Sequence, residues 1–408
     1  MERRVGGRGG RSWRPRESGG GSRPAPTSSS SSASYGDRWR PSSSRASHSA
    51  SKSGGDLRED LEGSTKVRLA EHVADQDVSS LVGTCPDMCP AKERGQREQF
   101  RDLTVFERLN GNPQKTSSAL AVKKFCRTMS TTNEQPSDIR PLPVLQKTLR
   151  YLLDIVDSSN HPFEVIHDFV LDRTRAIRQD LSIQKIVNND VILMYEEMVK
   201  FHIISDKRLR KNCGKADISS LLHLNMEQLI KSLTSLYDLY VINQRSSDKN
   251  YNEAEYYSFN LILQLGRNRN SISLWLRKMS VSILQSKEMH FARSVLRHLR
   301  VGNYRRFLKI VAADSSYLQF CLLEPVVNEV RAQALLCINY GGYKLHPYPL
   351  SHLSHILIMK EEDLESLCHD CGLKTCKDEA GHLLLPTRQE VSHMPKTLQD
   401  FGFLASEN

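Results

Sequence analysis

The chain has 408 residues and a formal net charge of +10, but its first 55 residues hold 11 Lys or Arg against 3 Asp or Glu, so the remainder is nearly neutral. No stretch has the length and apolarity of a transmembrane span, and the Arg/Gly-rich residues 1–12 do not resemble a secretory leader. Nine cysteines without a dense framework are typical of a reducing compartment. We therefore expect a soluble intracellular protein with no membrane partner.

The N-terminal segment has the composition of a disordered tail. Residues 1–55 contain 16 Ser and 10 Gly and almost no aliphatic side chains. Such a segment cannot bury enough apolar area to offset the entropy of ordering. Its arginines with Trp13 and Trp39 suit contacts with RNA or anionic partners, but a solubilising, phosphorylatable tail is the simpler interpretation. We expect this tail and a charged linker to extend to residue 80.

Folded structure is expected from Leu81 onward. Prolines and a glycine in VGTCPDMCP, residues 82–90, predict an extended and turn-rich start. Pro90 then suits the first position of a charged helix that continues to about Leu109 and packs through Phe100, Leu103, Phe106 and Leu109. A second helix is predicted over residues 118–129.

A helix over residues 169–184 organises the predicted fold, because its apolar side chains recur at helical spacing on one stripe. Arg173 and Asp180 fall on or beside that stripe, although charged side chains are rarely buried without a partner. Asp172 reaches Arg175 at i,i+3 on the outer side. We predict an internal ion-pair network formed by Asp172, Arg173, Arg175, Arg178 and Asp180. The alternative is a solvated face with one arginine that reaches water from the core.

The other apolar periodicities predict an irregular array of helices. Their ranges are 144–156, 186–204, 225–243, 252–265 and 271–285, with a basic turn at 206–215. Helical hairpins joined by short polar turns, without alternating strands, are typical of a helical-repeat solenoid with irregular units.

The predicted helical region at residues 288–308 has a one-sided row of positive charge. Phe291, Val295 and Leu299 face inward at helical spacing. The outward basic side chains are Arg293, Arg297, Arg300, Arg305, Arg306 and Lys309. These six are our nucleic-acid candidates, because such a row is typical of surfaces that bind nucleic acid or acidic partners. A merely solvated helix face explains the same pattern.

The C-terminal part has the element order of a winged helix, a relative of the helix-turn-helix. The predicted elements are a helix at 326–339, a strand at 343–346, helices at 350–359 and 361–371, and strands at 373–377 and 383–385. The second of the two short helices, EEDLESLCHDC, is acidic and should repel DNA. We therefore expect this domain to bind protein or to offer only its wing.

Two cysteine clusters raise the question of a metal. Cys85 and Cys89 have the spacing C-x3-C without a second Cys/His pair nearby. The C-terminal cluster consists of Cys368, His369, Cys371 and Cys376, and Cys371 shares a helical face with Leu364 and Leu367. Structural zinc sites normally show a closed set of four ligands. Both patterns favour buried thiols, so we predict neither a metal nor a cofactor.

The sequence also contains no catalytic motif. It lacks a strand followed by G-x-G-x-x-G, a phosphate-binding loop, H-E-x-x-H and G-x-S-x-G. A helical array with a winged helix and no catalytic constellation predicts a non-enzymatic binding scaffold.

Several charged motifs, found in this order, are similar to the SAC-three/GANP homology-domain family. They are GTCPDMCPAKER (83–94), AVKKFCR (121–127), RPLPVLQKTLRYLLD (140–154), DRTRAIRQDL (172–181), EEMVKFHI (196–203), EQLIKSL (227–233) and NEAEYYSF (252–259). The resemblance covers about residues 83–376. It implies an all-α, PCI-like superhelix that ends in a winged helix with a small β-hairpin. The expected domains are a tail and linker at 1–80, the helical repeat at 81–325, the winged helix at 326–390 and a C-terminal tail at 391–408.

The resemblance also implies partners. Larger members scaffold a nuclear-pore-associated mRNA-export complex, pair their winged helix with that of a second PCI protein, bind a small acidic peptide and present basic surfaces to RNA. By position alone, the partner-surface candidates are His352, His355, Leu383 and Leu385.

The arrangement of this chain, without phenylalanine-glycine repeats, most resembles the short stand-alone members linked to centrosomes. Our leading expectation is therefore a non-enzymatic adaptor in centrosome duplication, spindle assembly and mitotic progression. It would act at the centrosome, the spindle and in the cytoplasm. The alternative is a subunit of a nuclear mRNA-export complex that binds RNA through its basic surface.

Overall fold

The computed structural model describes residues 81–128, 135–211, 216–243, 252–265, 269–395 and 401–403. The predicted disordered tail and linker lie outside the described residues. Most described residues are helical, and none of the described helices combines the length and apolarity needed to cross a bilayer. The helices are α1 Ala91–Gln99, α2 Leu142–Ser158, α3 Phe163–Gln184, α4 Asn189–Lys211, α5 Ala216–Asn243, α6 Glu253–Leu263, α7 Arg269–Arg277, α8 Val281–Leu284, α9 Lys287–Val301, α10 Tyr304–Asp314, α11 Tyr317–Gly341, α12 Leu350–Leu357 and α13 Glu361–Asp370. The strands are β1 Tyr348–Pro349, β2 Cys376–Lys377 and β3 Leu383–Leu385.

Helices that follow one another in the chain pack together, from α2 through α6 and again from α9 through α11. Helix α11 also packs against α4 and α6. Its buried residues extend from Gln319 to Asn339, so it serves both parts of the array as a common core element. It also runs through residues 325 and 326, where we expected one domain to end and the next to begin. The predicted all-α repeat architecture is confirmed.

The N-terminal segment differs from its prediction. Helix α1 ends at Gln99 rather than near Leu109, and short 3-10 turns follow at Val105–Glu107 and Leu109–Gly111. As a result Phe100, which was predicted to pack, is 79% exposed, and Leu109 is exposed as well, whereas Leu103 is buried. The helix predicted from residue 118 is wrong as far as residue 128, because residues 118–128 form turns and irregular backbone.

Tertiary hydrogen bonds replace that predicted helix. The backbone N–H of Val122 donates to the Glu107 carboxylate at 3.0 Å, and the N–H of Lys123 donates to the Met88 carbonyl at 3.0 Å. A buried N–H needs a partner, and here the partners lie elsewhere in the chain rather than four residues back.

The prediction of a basic turn at residues 206–215 is wrong for its first part, because residues 206–211 continue helix α4. Arg210 bonds to Asp206 within the helix at 2.9 Å, and Lys207 lies 3.2 Å from Glu324 of α11. The pair between Lys207 and Glu324 joins the end of α4 to α11, and both pairs offset charges that suggested a solvated loop. Residues 212–215 lie outside the described residues. The helix predicted at 271–285 is two helices, α7 and α8.

The C-terminal elements form the predicted winged helix. The sheet order is β1-β3-β2 with antiparallel pairs, and Tyr348 pairs with Leu385. The first strand lies at 348–349, not at the predicted 343–346. Helices α12 and α13 pack on each other and bury leucines that face the sheet and α11. Helix α12 also contacts α10, so the winged helix docks directly on the array.

Part of the expected C-terminal tail packs on the fold. The fully buried Arg331 guanidinium donates to the carbonyls of Phe401 at 2.9 Å and Gly402 at 3.1 Å, and it lies over the Phe403 ring. Arg331 also donates to the Leu357 and Ile358 carbonyls at the end of α12. One buried cation thus ties residues 401–403 to the winged helix.

Two buried histidines lie between helices α3, α4 and α5. His167 and His202 both contact the Asn225 amide oxygen, at 3.1 Å and 2.9 Å. Because that oxygen only accepts, the ring nitrogen that faces it carries a hydrogen in both histidines. Burial, together with the nearby Arg178 charge, lowers the pKa of His202 to about 3, against the hydrogen bond to Asn225; burial lowers the pKa of His167 as well.

We expect this histidine pair to make the fold acid-sensitive. The unfolded chain protonates His202 near the ordinary pKa of 6.5, whereas the native state stays neutral down to about 3. The neutral His202 therefore causes no loss of stability above pH 7. As the pH drops through 6.5, the free energy of unfolding falls, and this side chain alone lowers it by about 2 kcal/mol at pH 5. Urea unfolding at pH 7 and pH 5 measures the loss, and His202→Gln should reduce it. The exposed His352→Gln is the matched control; equal pH dependence in all three proteins would contradict the assignment.

Candidate nucleic-acid interface and buried ion-pair network

The buried carboxylate of Glu107 joins the N-terminal segment to helix α3. It bonds to Arg97 of α1 and, at 3.0 Å, to Arg173 of α3, and it also accepts the N–H of Val122. Burial alone would raise the pKa of Glu107, but the hydrogen bond from Arg97 and the charges of the two arginines outweigh it, so its pKa lies below the usual value. Glu107 therefore stays ionised in a site without solvent access.

A second buried carboxylate, Asp180, lies farther along α3. Its two oxygens accept from Lys123 Nζ at 2.8 Å and from Arg140 Nε at 2.7 Å. The neighbouring Gln184 donates to the Arg140 carbonyl at 2.9 Å and accepts the Gly83 N–H at 3.0 Å. Three separate segments of the chain therefore meet on one turn of α3.

Gly83 sits where no side chain fits. A Cβ atom there would lie 2.5 Å from the backbone oxygen of Ile139. The close approach allows the Cys85 N–H to reach the Ile139 carbonyl at 3.0 Å. The glycine is thus required by the pairing of the two segments that flank α3.

The partners in this network differ from those we predicted within α3. Arg173 and Asp180 are buried and bind residues from outside the helix. Asp172 bonds to Arg173 rather than to Arg175, whose guanidinium instead lies 3.8 Å from the centroid of the Phe125 ring. Arg178, predicted to point outward, is half-buried and donates to Gln228 at 2.6 Å.

Sequence reasoning missed the external partners Glu107, Lys123 and Arg140. Glu107 lies 66 residues before Arg173, so helical spacing does not connect the two. Lys123 and Arg140 do lie inside the recurring charged motifs, which was the one available signal.

The cysteines of both clusters are mostly buried. Cys85 and Cys89 lie in the core, and burial raises the pKa of Cys89 to about 12. Burial likewise raises the pKa of Cys368 to about 12 and of Cys371 to about 11, whereas Cys376 is exposed. Thiols with such pKa values stay protonated at neutral pH, and a thiol binds metal or attacks as the thiolate. Within the described residues, no group of three or more His, Cys, Asp or Glu is placed to hold a metal ion.

The six nucleic-acid candidates form a surface that we call the basic face: Arg293, Arg297, Arg300, Arg305, Arg306 and Lys309. The first three lie on α9 and the others on α10, and all six are exposed, while Phe291 and Val295 on the opposite side of α9 are buried. Arg293 donates to the Leu284 carbonyl at 3.4 Å. No ion pair with a carboxylate is found for these six among the described residues. The charges are therefore free to meet an external anion.

Helix capping brings the two halves of the basic face together. Gly302, with φ of +72°, ends α9, and the side chain of Asn303 caps α10 by accepting the Arg306 N–H at 3.1 Å. Arg305 and Arg306 thus lie in the first turn of α10, which contains no acidic residue. The macrodipole disfavours cations at that end of a helix, so this placement costs stability and concentrates positive potential.

The partner-surface candidates have unequal exposure. His352 and His355 on α12 are exposed, and Leu383 is half-buried. Leu385 is fully buried in β3, so its assignment to a partner surface is wrong; the side chain fills the winged-helix core. Glu361 and Glu362 at the start of α13 are exposed, which leaves an acidic surface on this domain.

These features define a class of protein. A helical array continued by a winged helix, held together by buried ion pairs and exposing a basic face, is a protein of the helical-repeat type, a class that often presents extended binding surfaces. The profile of the SAC3/GANP family matches residues 88–377, which is more than half of the chain. The chain therefore belongs to the SAC3/GANP family, as its motifs predicted.

Similar proteins occur in plants and yeasts. SAC3 family protein B of Arabidopsis thaliana is 36% identical over 308 residues, which cover 73% of this chain and 18% of that protein. SAC3 family protein 1 of Schizosaccharomyces pombe is 32% identical over 327 residues, with coverage of 74% and 31%. A THP3 homolog from the same yeast is 24% identical over 302 residues, with coverage of 72% and 67%. The matched part spans less than a third of the first two relatives.

We expect Asp180→Asn to be strongly destabilising. The substitution leaves Lys123 and Arg140 buried without a countercharge, which typically costs about 3–5 kcal/mol. Denaturant unfolding measures the change, and Glu227→Gln is the control because it breaks the exposed pair with Lys231, which should have no measurable effect. A stability for Asp180→Asn equal to that of Glu227→Gln would show that the buried pairs do not hold the segment.

Proposed function

We propose that this chain is a non-enzymatic scaffold that binds RNA through the basic face within an mRNA-handling assembly. The observation that supports the proposal is the exposure of all six basic side chains without a carboxylate partner among the described residues. Lys and Arg side chains that neutralise phosphates supply the sequence-independent part of nucleic-acid affinity, and a row of arginines on two adjoining helices offers several such contacts. The family resemblance adds the expectation of an export-type complex.

The winged helix is proposed to bind protein rather than nucleic acid. Its acidic helix α13 would repel a phosphate backbone, whereas His352, His355 and the half-buried Leu383 offer a mixed polar and apolar surface. By family resemblance, the partners would be a second PCI or winged-helix protein and a small acidic peptide. Co-purification with wild-type chain, compared with a chain carrying His352→Glu and His355→Glu, tests this surface; unchanged partners would exclude it.

The centrosomal role stays a prediction from resemblance, as do the centrosomal, spindle and cytoplasmic locations. Depletion of the protein separates the two roles. Nuclear retention of polyadenylated RNA and a nuclear signal for the tagged chain would support the RNA-handling role. A change in centrosome number, with normal RNA distribution, would favour the adaptor role in mitosis instead.

We expect reversal of Arg293, Arg297 and Arg300 to Glu to leave folding intact, because all three side chains face water. RNA affinity should fall, and the slope of log affinity against log salt should decrease by about 0.7 for each lost phosphate contact with a single strand. Fluorescence anisotropy with a labelled oligouridine at several salt concentrations measures both quantities.

The matched control changes the same number of charges elsewhere. Lys115, Lys147 and Arg150 are exposed and lie on or before α2. Their reversal to Glu should change RNA affinity less than reversal on α9. Equal losses for the two triple variants would indicate a diffuse charge effect, and no salt-dependent binding by the wild-type chain would refute the RNA proposal.

A further inference from the structure

A cleft of about 320 Å³ opens beside the basic face, between the end of α9, the start of α10 and the middle of α11. Its floor is apolar, since Phe307, Val330 and Ala334 are buried there. The half-buried Tyr304 forms part of one wall. We call this the α9–α11 cleft.

Polar groups surround the apolar floor. His298, Arg300 and Gln333 line the cleft, and Arg300 belongs to the basic face as well. No acidic side chain is found among the described residues that line it. The cleft therefore combines a flat aromatic wall and an apolar floor with groups that donate and accept hydrogen bonds, under a positive potential.

The fold holds these groups in a fixed arrangement. Gly302 and Asn303 form the tight corner between α9 and α10. Arg300 lies just before this corner and Tyr304 just after it, and both line the cleft. Phe307 follows Tyr304 at i,i+3 on α10, which places both rings on the same side of that helix. The cleft is part of a packed helical junction rather than of a loop.

A ligand for this cleft must be flat and partly apolar, must have polar edges, and must carry an anionic group that reaches the basic face. An unpaired nucleobase attached to a phosphate chain has all four properties, whereas an acidic peptide offers charge without a flat ring to stack on Tyr304. We infer that the α9–α11 cleft takes one unpaired base of a single-stranded RNA whose phosphates lie along the basic face. This inference rests on the proposed RNA-binding function.

Stacking selects single strands. A base in a duplex is already stacked and paired, so it must leave the helix before it can enter a cleft of this kind. In single-stranded RNA the base is free to stack on an aromatic side chain without regard to sequence. Tyr304 would provide the stacking surface, Gln333 and His298 would meet the polar edge of the base, and Arg300 would contact its phosphate.

The test compares two probes of the same charge on the full chain. One is a labelled twelve-residue oligouridine, and the other is a twelve-residue RNA backbone without bases. We expect the oligouridine to bind about tenfold more tightly, since stacking contributes this order of affinity per base. Equal affinities with normal salt dependence would overturn the cleft inference and leave the proposed function standing. No binding of either probe would refute both.

Variants distinguish the cleft from the basic face. Tyr304→Leu keeps an apolar side chain but removes the ring, so it should reduce the preference for oligouridine to near one while the salt slope is unchanged. Tyr317→Leu is the matched control, because that tyrosine is exposed and lies outside the cleft. If thermal melting shows that the Tyr304→Leu variant is not folded, Gln333→Ala replaces it. Gln333 is exposed, and its substitution should lower the preference for oligouridine in part.

Competition separates RNA from a protein ligand at this site. A polyglutamate peptide of equal charge should displace labelled oligouridine less effectively than unlabelled oligouridine does. Equal competition, together with no effect of Tyr304→Leu, would show that the cleft contributes nothing beyond charge and would contradict the inference.

Discussion

Two buried carboxylates determine how the irregular N-terminal segment packs on α3, one in the segment and one on the helix. Glu107 reaches in from that segment to Arg173, and Asp180 reaches out from α3 to Lys123 and Arg140. Removing charge from water is expensive, and the cost is offset only when each ion has well-placed partners. Other placements of the segment would leave a charge unpaired, so we interpret the network as a device that selects one docking geometry.

The residues of this network lie in a different part of the chain from the surface that we propose binds RNA. Lys123, Arg140 and Asp180 lie within the charged motifs by which the family was recognised, and all three side chains are buried. The basic face and the α9–α11 cleft lie on α9, α10 and α11, outside those motifs. These motifs thus supply buried contacts that hold the fold, while the proposed RNA contacts are exposed side chains for which no ion pair is found among the described residues.

Local patterns predicted the fold well where apolar periodicity was strong, as for the stripe on α3 and the winged-helix core. They failed where distant partners decided the structure. Residues 118–128 have helical periodicity, but the backbone of Val122 bonds to Glu107 instead. Residues 206–211 have the composition of a solvated basic loop, but they continue α4, and Lys207 pairs with Glu324 on α11. The exposure of the basic face followed from helical spacing, whereas the cleft beside it required the packing of α11 against α10.

The central claim is that residues 81–128, although largely without regular secondary structure, are as firmly fixed as the helices they cover. Native-state hydrogen exchange of the Val122, Lys123 and Cys85 amides measures this directly, since their partners are the Glu107 carboxylate and the Met88 and Ile139 carbonyls. The account predicts protection close to that of the amides at the centre of α3, because opening the segment would expose buried charges. Exchange at the rate of an exposed loop would contradict it.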